Sequence, residues 1–204
     1  KLAQVNKMAE GYGREMVRYP EKMIFELMAA AATTATFTGD DETYIVDTAH
    51  TDVGSGNTHS NKGTTTLGVA SLAAARVAGM KVKNAAGSPM PINYNRLVVG
   101  PDLAKTAFEL TTSPKDPDNA NNTPNWHYGL DVIVNPYLTD TNNWFLLDTT
   151  QVFKPFAMQF VERPTPMYIV DDNLKKLKFV DYGAHMYGQP TFTDWRLIYG
   201  AIVS

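Results

Sequence analysis

The chain has 204 residues, 44% hydrophobic and 19% charged, a balance that excludes a disordered chain and allows one large domain or two small ones, each with a real core. A formal charge of -3 and a pI of about 5.8 exclude the strongly basic balance of a dedicated nucleic-acid binder. The absence of cysteine excludes disulfides, thiolate metal sites, iron–sulfur clusters and cysteine nucleophiles.

Residues 1–32 pattern as helix. Leu2, Val5, Met8, Ala9, Tyr12, Met16 and Tyr19 recur at helical spacing and predict a buried stripe. Pro20 lacks a backbone donor and suits a first helical turn, and Glu21 behind it favours a helix N-terminus. The expectation is a long helix, a break near Tyr19-Pro20, and a second helix carrying Ile24, Phe25, Leu27 and Met28. The chain opens on Lys1 with residues already helical, as one beginning partway into a longer product would. No apolar run reaches the ~20 residues that cross a bilayer, and no signal peptide is visible.

Residues 37–65 read as irregular, with a turn at Gly39-Asp40-Asp41, a short strand over Thr43–Val46, and a polar surface loop from Thr51 to Thr65. Helix returns over 66–82, with Leu67, Ala70, Leu72, Ala74, Val77 and Met80 on its apolar side. A turn-rich connector, Ala85–Pro91, leads to a strand at Arg96–Val99. Gly100-Pro101 ends that strand and opens a helix to about Leu110, a compact α/β unit. Residues 112–125, with three Pro and four Asn, form a second loop. From 129 onward the pattern is β: Leu130–Val134, Trp144–Leu147, Phe156–Val161, Met167–Val170, then Lys176–Val180 with Ala184–Tyr187 as one longer strand, and Trp195–Val203 as the closing strand. The fold class is α+β, without internal repeats.

Candidate chemistry is sparse. His50, His59, His127 and His185 make no HxxxH or HExxH spacing. Asp47, His50 and Asp52 are a conceivable set for a metal-dependent hydrolase, but further ligands are needed, and the plainer alternative is a loop ordered by hydrogen bonds. Asp40-Asp41-Glu42 lacks the calcium-loop spacing, and Asp171-Asp172 reads as a turn. Gly54-Ser55-Gly56 has no flanking strand and helix to make a phosphate cradle, and neither a GxSxG nor a GxGxxG motif occurs. Tyr182, Tyr187, Phe192, Trp195 and Tyr199 would suit a carbohydrate-binding face if exposed and coplanar; packing is the commoner role of such residues. Lys175, Lys176 and Lys178 are too few for a nucleic-acid groove. No catalytic, cofactor-binding or metal residue is assigned.

Several segments, in order, resemble the major head subunit family of Mu-like phages. Arg18 to Leu27 (RYPEKMIFEL) is similar to its P-E-x-x-I-F-x-L-L helix entry, and Tyr44 to His50 (YIVDTAH) to its F-F-D-x-x-H. Leu72-Ala73-Ala74-Ala75-Arg76 and Arg96 to Pro101 follow in the family's order. Asn143 to Asp148 (NWFLLD) before Lys154 to Phe160 (KPFAMQF) looks like its W-x-L-L-D…K-P-x-x-x-Q stretch, and Tyr187-Gly188 to Trp195-Arg196 like its last strands.

The resemblance implies a Hong Kong 97-like capsid fold and a structural, non-enzymatic subunit of an icosahedral head around a DNA genome. It assigns residues 1–35 to the spine helix and following helix of a peripheral domain. Residues 36–149 become mainly an axial domain, and 150–204 the return strands and C-terminal strand. The family's N-terminal arm and extended loop are missing upstream, so the chain reads as N-terminally truncated. Implied partners are further copies in pentamers and hexamers, with scaffold, protease, portal and decoration proteins and non-specifically packaged DNA, and no membrane. The implied location is the virion, after assembly in the host cytoplasm. An encapsulin-like compartment shell is the related alternative.

Overall fold

The computed structural model describes residues 2–33, 43–51, 56–84, 86–117, 123–170 and 180–203. The elements run α1 (Leu2–Ala29), β1 (His50–Thr51), β2 (Thr58–His59), β3 (Lys62–Gly63), α2 (Val69–Met80), β4 (Arg96–Val99), α3 (Ala104–Thr112), β5 (Asp131–Val134), β6 (Trp144–Leu147), β7 (Phe156–Val170), β8 (Val180–Phe192) and β9 (Ile198–Ala201). Short 3-10 turns at Pro101–Leu103 and Trp195–Leu197 lead into α3 and β9. Mixed helices and sheets bear out the α+β class. Contacts divide the chain into two compact units, Lys1–Ile24 with Ala157–Thr191 (unit 1) and Phe25–Phe156 with Phe192–Ser204 (unit 2).

Unit 2 is organised by a five-stranded sheet of order β3-β9-β6-β4-β5. Strand β6 lies antiparallel to both β4 and β9, while β5 and β3 add in parallel outside them. All four residues of β6 are buried, so its apolar run carries no polar alternation, as expected of a strand covered on both faces. Leu97, Val99, Trp144, Leu146 and Ala201 point into one cluster with Leu72 and Ala75 of α2 and Ala107 and Leu110 of α3. Val98, Phe145, Leu147 and Ile198 point the other way, against Leu27, Met28 and Ala31 at the C-terminal end of α1 and against Ile45 and Val46. The period of two in each strand therefore sorts the core into two layers.

Unit 1 is different. It holds the first part of α1 and most of a two-stranded ribbon, β7 with β8. Glu162 bonds His185, and a Cβ at Gly188 would meet the Gln159 carbonyl; partner numbers that run in opposite senses mark an antiparallel pairing. Met8, Tyr12, Val17 and Tyr19 of the helix and Val161 and Tyr187 of the ribbon are all exposed, between 52% and 77%. Every buried apolar side chain of the core belongs to unit 2 among the described residues.

Several expectations are corrected. The helix does not break at Pro20 but runs through it; a proline deletes one backbone donor and need not end a helix whose later turns are held by packing, as Leu27 and Met28 are here. The stripe through Met8, Tyr12 and Tyr19 exists but lies in solvent. Thr43–Val46 is not a strand: Ile45 and Val46 are buried there, and Val46 N–H donates to the Ala31 carbonyl at 3.1 Å. The loop expected over Thr51–Thr65 holds β2 and β3, the latter paired with β9. In α2 the buried residues are Leu72, Ala75 and Gly79, whereas Val77 and Met80 are exposed. Hydrophobicity alone misjudged that face, because its closest contact is made by a glycine. The turn-rich connector before Pro91, β4 to β6 and the closing strand stand near their expected places; the strands expected at Phe156–Val161 and Met167–Val170 merge into β7, and Ala184–Tyr187 falls within β8. The turns at 39–41 and 171–172, Ala85, and residues 176–179 lie outside the described residues.

Gly79 sets the sign of a stability test. A Cβ there would sit 2.4 Å from Cε2 of Tyr94, a buried ring whose hydroxyl donates to the Arg196 carbonyl at 3.2 Å. Helix propensity favours alanine over glycine by about 1 kcal/mol, but overpacking costs about 1–3 kcal/mol. Gly79→Ala is expected to lower the urea unfolding midpoint, whereas Phe145→Ala, at the fully buried centre of the sheet, is expected to cost about 3–5 kcal/mol.

Candidate functional site

The Asp47–His50 segment is ordered by one buried amide. Asn61 Nδ2 donates to the carbonyls of Ile45 (2.8 Å) and Trp195 (3.1 Å), and its Oδ1 accepts from Asp47 N–H (2.8 Å). Backbone groups have fixed polarity, so they orient the amide without ambiguity. His50 Nε2, 3.1 Å from that same Oδ1, is then the donor, and Nδ1 accepts from the Thr43 hydroxyl at 3.0 Å. The fully buried His50 ring also stacks on Trp195, with centroids 4.2 Å apart and planes 4° off parallel. Asp47 Oδ1 accepts from its own turn, from Thr48 N–H at 2.5 Å and Ala49 N–H at 3.3 Å.

These bonds occupy both His50 nitrogens with protein partners and turn Asp47 onto the backbone. Asp52, the third member of the hydrolase set, lies outside the described residues, and no group of three or more metal-ligating side chains occurs among those described. The bland alternative, a hydrogen-bonded loop, is the observed one. Asp40, Asp41, Glu42, Gly54, Ser55, Asp171, Asp172, Lys175, Lys176 and Lys178 also lie outside the described residues. Among the described late aromatics, Trp195 is buried, Tyr199 is half-buried against Tyr94 and Trp144, Phe192 packs on the core, and Tyr187 is exposed on the ribbon; the Tyr182 side chain lies outside what the structure describes.

A second polar cluster had no local sequence signal, because its members are about fifty positions apart. Arg76 of α2 lays its guanidinium 4.6 Å from the Trp126 ring centroid and donates to the Trp126 carbonyl at 2.8 Å. Its Nη1 lies 3.4 Å from Nδ1 of the buried His127. Burial first, and then the Arg76 charge, push the His127 ring below its ordinary value of 6.5, against a backbone hydrogen bond to Val69 and the charge of Asp116.

What remains is surface. In unit 2, Phe108 (64%), Val152 (90%) and Phe153 (72%) stand out of the chain, and in unit 1 the apolar stripe of α1 is bare. No curated protein sequence matches the chain. The family model for phage capsid proteins matches residues 1–200. The chain belongs to the phage capsid protein family. A solved structure, the procapsid of bacteriophage JBD30 computed in I4 symmetry, contains a chain that aligns with a TM-score of 0.46 and 14% identity, over 97% of this chain and 44% of that one. This capsid-family chain thus spans less than half the length of that relative.

The stretch Asn143 to Phe160 has a definite role in the capsid-family chain. The fully buried Asp148 carboxylate accepts from Asn93 N–H (2.9 Å), Thr150 N–H (2.8 Å) and the Thr150 hydroxyl (2.5 Å). Lys154 Nζ donates to the carbonyls of Thr149 (2.7 Å) and Gln151 (2.9 Å). Together they hold the loop whose tip is Val152-Phe153. The loop walls a cavity of about 660 Å³ lined also by Met90, Gln151, Asp194 and Leu197. The Asp and Lys of that stretch build the turn.

Two outcomes check these assignments. Asn61→Ala strands two buried carbonyls and one N–H, at about 1–3 kcal/mol each, so calorimetry is expected to show a large loss of stability, with no zinc bound by either protein. For His127 the unfolded ring takes up a proton before the folded one, so its contribution is present above pH 6.5 and is lost as pH falls through the lowered folded value. The urea midpoint is expected to drop between about pH 7.5 and about pH 5.5, and to drop less in His127→Gln.

Proposed function

We propose that the protein is the major head subunit of a Mu-like bacteriophage, self-assembling into the icosahedral shell that encloses the DNA genome, with a Hong Kong 97-like fold and no catalytic role. The observation that carries this reading is the phage capsid family match over residues 1–200. The physical counterpart is unit 1. A lone two-stranded ribbon is marginal in water, and a helix takes most of its stability from a packed apolar face. Unit 1 has both elements and, among the described residues, no buried apolar core of its own. Neighbouring copies in a shell supply what it lacks.

In this reading residues 1–35 are the spine helix and following helix of the peripheral domain, 36–149 are mainly the axial domain, and 150–204 are the return strands of the peripheral domain and the C-terminal strand. Assembly proceeds through many modest contacts closed by symmetry into pentamers and hexamers. Scaffold, protease, portal and decoration proteins are the further partners, the packaged DNA is held without sequence preference, and the shell is built in the bacterial cytoplasm before it becomes the virion.

The test is particle size, by light scattering and negative-stain microscopy of the purified full-length gene product. Closed shells tens of nanometres across are expected on the scale of phage heads. A product that stays monomeric at every concentration and ionic strength contradicts the reading.

A further inference from the structure

The two units differ in charge as well as in burial. Unit 1 carries nine Lys and Arg against seven Asp and Glu, and unit 2 nine against fourteen. The surplus positive charge of unit 1 has a defined place on α1. Glu10, Gly13, Arg14, Val17 and Arg18 fall on one helical face and line an open groove of about 510 Å³. Gly13 forms its floor, and a Cβ there would meet nothing within 4 Å. Val17 is 74% exposed beside the two arginines. An apolar notch flanked by guanidinium groups fits an aromatic side chain flanked by carboxylates.

Phe108 of unit 2 is such a group. Among the other exposed side chains of that unit, Val77 and Met80 lie beside Arg76 and Lys81, Trp126 has Arg76 on its face, and Val152-Phe153 runs into Lys154. Phe108 stands on an acidic surface. It projects from α3 beside Glu109, which is 58% exposed, with Asp102 one and a half turns earlier on the same exposed side; the one cation there, Lys105, pairs with Glu109 at 3.7 Å.

We propose that the Arg14–Val17–Arg18 face of α1 is the docking site for a second copy of this chain, which inserts Phe108 over Gly13 and Val17 and sets Glu109 and Asp102 against the two arginines. The contact is head-to-tail: one copy uses its knob and the other its groove, so the pair keeps one of each unused and can add further neighbours. The proposal rests on the shell reading and names one of its interfaces.

Sedimentation velocity on the intact chain tests it with two variants. The groove variant, Arg14→Glu with Arg18→Glu, and the knob variant, Phe108→Ser with Glu109→Lys, are each expected to stay monomeric where the wild type assembles. Mixed together, they are expected to form dimers and nothing larger, because one intact knob meets one intact groove. Gly13→Leu guards against misfolding. Its Cβ meets nothing within 4 Å, its side chain fills the notch, and leucine favours the helix over glycine, so circular dichroism should be retained while assembly weakens about tenfold or more. Variants that assemble like the wild type, or a mixture that stays monomeric, overturn the interface and leave the shell reading intact. A wild type that never assembles overturns both.

Discussion

Everything in unit 2 depends on the burial of β6 on both faces. Its four residues send Trp144 and Leu146 to one layer and Phe145 and Leu147 to the other, and its antiparallel partners β4 and β9 repeat that alternation. A strand buried on both sides requires cover on both sides. Helices α2 and α3 supply it on one face, and the end of α1 with Ile45 and Val46 on the other. The polar devices around the sheet follow from this closure. Segments brought over a dry core must have their backbone groups satisfied, which Asn61 does for Ile45, Asp47 and Trp195, and Asp148 for Asn93 and Thr150.

Unit 1 obeys the opposite constraint. Its residues have the pattern of a helix and a ribbon, but among the described side chains Met8, Tyr12, Val17, Tyr19, Val161 and Tyr187 stand in solvent in the single chain. A monomeric protein rarely leaves such a stripe bare. In the proposed shell this is a division of labour: the closed unit gives each subunit its shape, and the open one is left for neighbouring copies to cover. The surplus of positive charge on the open unit and of negative charge on the closed one adds orientation to that incompleteness.

The sequence was most legible where one physical signal dominated. Arg96–Val99 and Trp144–Leu147 are short apolar runs with clear stops, and both are strands at those positions. Legibility failed where a contact joined distant residues. The pairing of Lys62-Gly63 with β9 depends on residues more than 130 positions away. The Arg76–Trp126–His127 cluster has no spacing that periodicity can detect. The α2 face was misread because close packing of Gly79 on Tyr94 contributes nothing to a hydrophobicity pattern. The α1 stripe has the helical spacing read from the sequence, but the burial expected of it is not found in the single chain, where Met8, Tyr12 and Tyr19 are exposed. Of the candidate site, Asp47 and His50 were found and their plainer role was the observed one; the docking features, Gly13 between exposed Val17 and two arginines, came into view only with the exposures.

The central claim is that unit 1 is completed by other copies of the chain. Amide hydrogen exchange of the protein before and after assembly, followed by mass spectrometry, tests it most directly. The account predicts that amides of Leu2–Ile24 and of the β7–β8 ribbon exchange rapidly in the unassembled chain and become strongly protected in the particle, while those of β4, β6 and β9 are protected in both. Protection of unit 1 in the unassembled chain equal to that of β6 would contradict it.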